Sequence, residues 1–330
     1  ARTEGISEEM ANDAYGLFYF FNQRMKEAGA TPESEWRKIK QTYLMLEEWF
    51  EDRTLFHMVG FLVSQNISIK DIRTQSQNCT KSEFEQSLRQ LIFERVIAQK
   101  PLCPSDEAAV RLDVEDCLET LIYGSKSRRV TSILLLFNVA TLLHNQRSNL
   151  RFQFDSFKTE KWDIEHIRSV GDDKPDRDYQ RKEWLKKCLG YFKQQDIEPE
   201  LCSKIMEFID LSQVEATNER FDILYEEILQ FFGEATEGEA VNGIANLTLL
   251  DEHTNRSYKN APFAVKRQRL LDLDQHGIFV PLCTRNVFLK CYSPQVDNAM
   301  FWSEEDQQGY QEAITNVLVN FFCGKKEGNL

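Results

Sequence analysis

The chain has no apolar run long enough to cross a bilayer. Its longest strongly apolar stretch runs from Val130 to Leu143 and is interrupted by Thr131, Ser132, Asn138 and Thr141, whereas a span needs roughly 20 residues. A buried core helix is expected there. The opening ARTEGISEEM has neither a basic region followed by an apolar core nor an initiator Met, so a cytoplasmic protein, and a piece of a longer one, is the expectation. Close cysteine pairs are missing as well: of eight cysteines no two lie nearer than Cys283 and Cys291. With no CxxC knuckle, a cysteine zinc site is not expected, and buried thiols in a reducing compartment are. Positive charge is scarce, 40 Lys and Arg against 53 Asp and Glu for a net −13, which argues against wholesale nonspecific coating of nucleic acid. What is present, 42% hydrophobic and 28% charged residues, is the balance of a folded globular chain and excludes disorder as its main state.

The charge is unevenly placed. Residues 192–241 are strongly acidic, while residues 256–290 carry Arg256, Lys259, Lys266, Arg267, Arg269, Arg285 and Lys290 against only Asp272 and Asp274. A local basic face on an acidic body suits a selective polyanion binder, and a solvated helix face accounts for the same pattern.

The first half reads as helix after helix. Trp36, Ile39, Tyr43, Leu46 and Phe50 recur at steps of three and four, and that stripe is expected to be core. Further helices are expected over 8–26, 55–63, 82–98 with a Ser82 to Glu85 capping box, 114–123 and 128–143. Texture changes near Leu150. The aromatic alternation from Arg151 to Phe157 predicts a strand, continued by Lys161 to Ile167. Helices are expected over 178–193, 199–211 and 218–232, then a short strand over 246–250. A basic helix begins near Pro262, and a last helix runs from Ser303, capped against Asp306, to Phe322. There is no internal repeat and no low-complexity tract.

Chemistry-bearing residues gather in two pieces of the second half, Trp162-Asp163-Ile164-Glu165-His166-Ile167 and the stretch from Asn246 to Lys266. They contain W-x-x-E-H-I, then N-L-x-L-L, then Asn255, then S-x-x-N-x-x-F-x-x-K ending at Lys266. In these motifs the chain resembles the His-Asn-His, or ββα-metal, nuclease domain at the carboxyl end of GmrSD-type restriction endonucleases, directly over about 152–271. It is similar, more distantly, to the corresponding domain of CRISPR effector nucleases. The segments 47–62 and 133–139 are similar to the helical region that precedes the nuclease in that family. Two departures stand out: Arg168-Ser169 follows His-Ile where the family often has Pro, and Ala245 replaces the usual Gly before Asn-Leu. The family's D-G-Q-Q-R-like sensor motif is absent, since Asn145-Gln146-Arg147 lies in another setting.

The resemblance implies a mainly α fold with a small α+β part: a helical domain over 1–150, then a nuclease domain over 151–330 with a helical insertion at about 172–241. It implies an endonuclease hydrolysing phosphodiester bonds in double-stranded DNA, foreign or modified, as in restriction and phage defence, with Mg2+ or Mn2+ as cofactor. A nucleotide-dependent sensor domain in a longer protein is its expected partner; a homo-oligomer stays open, and no membrane partner is expected. A noncatalytic assembly module with an inactive or gated nuclease fold is the alternative.

Phosphodiester hydrolysis needs a deprotonated water, a hard cation on the scissile phosphate and groups holding both in line. His166 is expected as the general base, because an imidazole with a pKa of about 6.5 is mostly neutral at pH 7. Glu165 and Asn255 are expected as the metal's oxygen ligands, and Asn255 also as part of the catalytic set. Arg256, Lys259, Lys266 and Arg267 are expected to face phosphates. Asn246 is read as hydrogen-bonding the loop that carries His166 in preference to touching the metal, Asn260 as a turn residue, and Asp163 as support behind the metal or an ordinary surface charge. His253 lies outside the motif and reads as an exposed helix start; His57, His144 and His276 receive no role.

Overall fold

The computed structural model describes residues 13–27, 29–124, 127–168, 174–212, 215–232, 242–252, 254, 261–293 and 300–325. The chain packs as two compact units, Ala1–Phe56 and His57–Leu330. The first contains α1 (Gly16–Arg24), α2 (Pro32–Glu51) and the first turn of α3 (Arg53–Ser64). Helix α2 starts where local chemistry favours it: Thr31 and Ser34 form a reciprocal capping box with Pro32 at the first helical position, satisfying amides that would otherwise lack partners. Glu35 is buried and accepts from Arg24 and Lys38 at 3.5 and 2.6 Å. The Lys38 hydrogen bond, with Arg24 beside it, holds its carboxyl below the usual range.

The stripe on α2 is helical as expected but is not core. Trp36, Tyr43 and Phe50 are 65%, 61% and 64% exposed, and Ile39 and Leu46 are 40%. Spacing at 3.6 residues establishes that side chains share a face; it does not establish that the face is covered.

The second unit is built around α7 (Ser127–His144), which is buried on nearly every side from Val130 to Leu142, as a helix apolar all round must be. Against it pack α14 (Glu304–Phe322), α13 (Leu282–Phe288), α5 (Lys81–Val96) and both strands, while α6 (Glu107–Glu119) packs on α14. The short helix α4 (Ile69–Gln75) lies on α5. Helix α7 thus packs on elements from both sides of residue 150, where the sequence texture changes. No helix among the described residues is long and apolar enough to cross a membrane.

Two further expectations are corrected. Residues 151–157 are not a strand: Phe154–Thr159 is helical (α8). The alternating aromatics instead pack on one another and on Phe279, with Phe152 5.0, 5.9 and 5.6 Å from Phe154, Phe157 and Phe279. Phe154 also lies so close to the bare backbone of Gly60 in α3 that a Cβ there would meet its ring at 2.4 Å. Second, the cap of α5 is Thr80 with Glu83, two residues upstream of Ser82 and Glu85; both pairs fit the pattern, and the chain turns at the first.

The sheet has two antiparallel strands, β1 (Trp162–His166) and β2 (Leu247–Asp251), with Trp162 opposite Asp251 and His166 opposite Leu247. Between them, among the described residues, come the helices α9 (Asp178–Gln195), α10 (Pro199–Asp210) and α11 (Asn218–Phe231). They bury a core of their own around Trp184, Phe192, Ile205, Phe221 and Ile228, and Ala264 and Val265 of α12 (Phe263–Gln275) join it. The fold is thus mainly α with a two-stranded sheet, and a helical insertion separates the strands.

Candidate active site

The W-x-x-E-H-I motif is β1 and its exit. Trp162 anchors the strand by stacking on Phe157 at 5.4 Å, and Ile164 and Ile167 are buried. Glu165 and His166 end the strand 6% and 7% exposed. Asp163 is exposed, with its Oδ1 accepting the backbone amide of Ile164 at 2.8 Å.

Asn246 enters β2 from a single 3-10 turn (Ile244–Asn246) and is wholly buried. Its side chain grips the backbone of Arg168 at both ends: Oδ1 accepts from the Arg168 amide at 2.8 Å and Nδ2 donates to the Arg168 carbonyl at 3.0 Å. Its own carbonyl accepts from the Ile167 amide at 2.8 Å. Three hydrogen bonds therefore lock the backbone leaving His166 to the start of β2. The turn is held in its own right by Trp302, whose Nε1 donates to the Ala245 carbonyl at 3.2 Å, and by Tyr310, whose hydroxyl donates to the Leu247 carbonyl at 3.3 Å.

His166 meets two residues that the motif does not contain. Its Nε2 lies 3.2 Å from Asn242 Oδ1, and Tyr123 places its ring 4.3 Å away, centroid to centroid, tilted by 56°. Asn242 and Tyr123 are themselves tied together, the Tyr123 amide donating to the Asn242 carbonyl at 2.9 Å, next to a bridge between Ile122 and Gly243. Neither was legible in the sequence. The apolar spacing puts Tyr123 at the end of a helix over 114–123, whereas the helix stops at Glu119, and Asn242 stands among loop residues without a motif. An amide oxygen can only accept, so His166 Nε2 is the donor of this contact.

Lys266 is the largest departure from expectation. It is 3% exposed, and its ammonium sits 2.6 Å from Glu165 Oε1 and 2.7 Å from the His166 carbonyl. The side chain is thus held inside the fold, where the sequence reading expects an exposed basic group. Arg267 is half-buried, with Nε donating to the Phe288 carbonyl at 2.9 Å. Lys290 is buried against Asp306, and Arg285 pairs with Asp274 at 3.3 Å. Among the described basic residues of 256–290, Lys266, Arg267 and Lys290 are thus engaged inside the fold. Arg256, Lys259, Asn255, Asn260 and His253 lie outside the described residues. Thr254, just before Asn255, has its amide capped by Asp251 Oδ1 at 2.8 Å.

The remaining histidine of interest, His57, is a core residue whose Nε2 accepts the Phe152 amide at 3.0 Å. A cavity of 540 Å³ borders Asn242 and Gly243, between Leu118, Ile122, Ile244 and Gln307, and holds none of the motif residues. Among the described residues no group of three His, Cys, Asp or Glu side chains could hold a metal ion. Glu165 has the hard oxygen chemistry that magnesium favours, but one carboxylate already on an ammonium is not a metal site by itself.

Residues 213–317 match a family model described as GmrSD restriction endonucleases, C-terminal domain. The match covers about a third of the chain, from the approach to α11 through most of α14, and includes Asn246 and Lys266; β1, with Glu165 and His166, precedes it. No curated protein and no solved structure matches the chain.

Proposed function

We propose that the chain, whose residues 213–317 carry the signature of a restriction endonuclease C-terminal domain, is a metal-dependent DNA endonuclease of the His-Asn-His type. The observation that carries this reading is the placement of Glu165 and His166 at the end of β1, locked by Asn246 to the start of β2. An imidazole oriented through one nitrogen is what a general base requires, because the other nitrogen is then fixed as the proton acceptor.

In this reading His166 takes the proton of the attacking water on Nδ1, while the bond from Nε2 to Asn242 keeps the tautomer. Asn246 prevents the strand exit from drifting, and effective proximity is sensitive to displacements of about an ångström. Glu165 and Asn255 are the proposed holders of Mg2+ or Mn2+, which when bound supplies positive charge to the scissile phosphate and the leaving oxygen. Arg256, Lys259 and Arg267 are the proposed phosphate contacts, and Asp163 and Asn260 supporting residues. Duplex DNA is the proposed substrate, with restriction of foreign or modified DNA as the setting and a sensor domain of a longer protein as the regulator.

The test is conversion of supercoiled plasmid to nicked and linear forms with magnesium or manganese. Metal-dependent cleavage by the parent chain, absent in chelator, is the expected result. A parent chain that binds duplex but cleaves nothing with either metal would instead identify a noncatalytic module.

A further inference from the structure

Lys266 occupies a position that elementary electrostatics disfavours. It lies in the first turn of α12, its amide bonded to the Pro262 carbonyl at 3.1 Å, where the helix dipole is positive and repels a cation. Its side chain is 4% exposed, so the ammonium has also given up its water, a cost of several kcal/mol that only close, well-directed partners offset. Those partners are the Glu165 carboxylate and the His166 carbonyl, the two adjacent residues on which the proposed chemistry rests.

The helix bearing Lys266 is fixed from two directions. Phe263 stacks between Phe288 and Trp302 at 5.3 and 5.8 Å, and Ala264 and Val265 are built into the core of the insertion. The ammonium is thereby held where it meets the end of β1. We infer that Lys266 is a positioning residue for the Glu165–His166 pair, acting through its charge on the carboxylate and the strand end, and is not a contact for the DNA backbone. This deepens the endonuclease reading and rests on it.

The two roles separate experimentally. In the parent chain, amine acylation followed by mass spectrometry should leave Lys266 unlabelled both with and without duplex, while Lys161, whose side chain is 85% exposed, is labelled. Labelling of Lys266 that duplex suppresses would overturn the inference, and this measurement needs no variant to fold. In Lys266→Met, cleavage at saturating duplex should fall at least tenfold, with duplex affinity within twofold of the parent and an unchanged salt slope. Lys266→Arg, which keeps the charge, should recover part of the rate. A parental rate, or a salt slope smaller by about one, the signature of a lost phosphate contact, would overturn it. A parent chain inactive with either metal removes the nuclease reading and this inference together; an active parent with an unaffected Lys266→Met variant removes the inference alone.

Discussion

Asn246→Ala is the perturbation whose size follows most directly from the structure. The side chain is wholly buried and makes two hydrogen bonds, at 2.8 and 3.0 Å, to the backbone amide and carbonyl of Arg168. Truncation leaves both of those groups without this partner, at roughly 1 to 3 kcal/mol for each buried group left unsatisfied. Arg168 is only half-buried, so water recovers part of that, and a total of about 2 to 4 kcal/mol is expected. For a folding unit of this size each kcal/mol lowers Tm by roughly 2 to 4 °C, so a drop of about 4 to 16 °C should appear by circular dichroism. Asn246→Asp separates the bonds from the cavity, since it is nearly isosteric yet loses the donor and sets a buried carboxylate against the Arg168 carbonyl; it should be at least as destabilising. Plasmid cleavage below the transition should fall by about 10²-fold in either variant if displacement of the strand exit by about an ångström is what is lost. A Tm within 1 °C of the parent together with a rate within twofold would refute the reasoning that this amide locks the site.

Other outcomes follow from the same structure. Leu46→Ala should change stability by less than about 0.5 kcal/mol in a thermal melt, because the side chain is already 40% exposed and exposed substitutions seldom exceed that; a loss of 2 to 5 kcal/mol would show a packed site. Burial pushes the Asp306 carboxyl up, but hydrogen bonds from Lys290 and the Ser303 amide outweigh it, and the net direction is down. A carboxylate depressed in the folded state contributes stability above its unfolded pKa of about 3.9 and loses it as pH falls through the folded value. The Tm gap between the parent and Asp306→Asn should therefore be widest near neutral pH and shrink below about pH 4; a constant gap would contradict this. Asn242→Ala should lower the cleavage rate about tenfold through loss of the His166 bond, with the salt dependence of duplex binding unchanged; a parental rate would mean that the tautomer is fixed by other contacts.

Much of the helical framework was legible because its signals are local. The cap of α14 at Ser303 with Asp306, Pro199 opening α10 and the apolar length of α7 each depend on a few neighbouring residues, and each was found where expected. The strand pair was legible for a different reason, since β1 and β2 coincide with motif residues. What escaped were properties that depend on which surface meets which. The stripe on α2 has helical period and no cover, and the aromatics of 151–157 alternate yet pack around Phe279. Lys266 and Lys290 look basic in sequence but are buried by Glu165 and Asp306, carboxylates distant in the chain. Asn242 and Tyr123 were invisible because their only claim to the site is spatial: they approach His166 from segments about 76 and 43 residues away that carry no motif.

In the proposed reading His166, oriented at the end of β1, is the base of a DNA-cleaving site. The measurement that tests it most directly is the rate of plasmid nicking by His166→Ala beside the parent chain, at matched metal and saturating duplex, with circular dichroism and duplex binding confirming that both are otherwise alike. A loss of at least ~10²-fold is expected, the scale of a general-base contribution, with fold and duplex affinity retained. Nicking within a few-fold of the parent would contradict it.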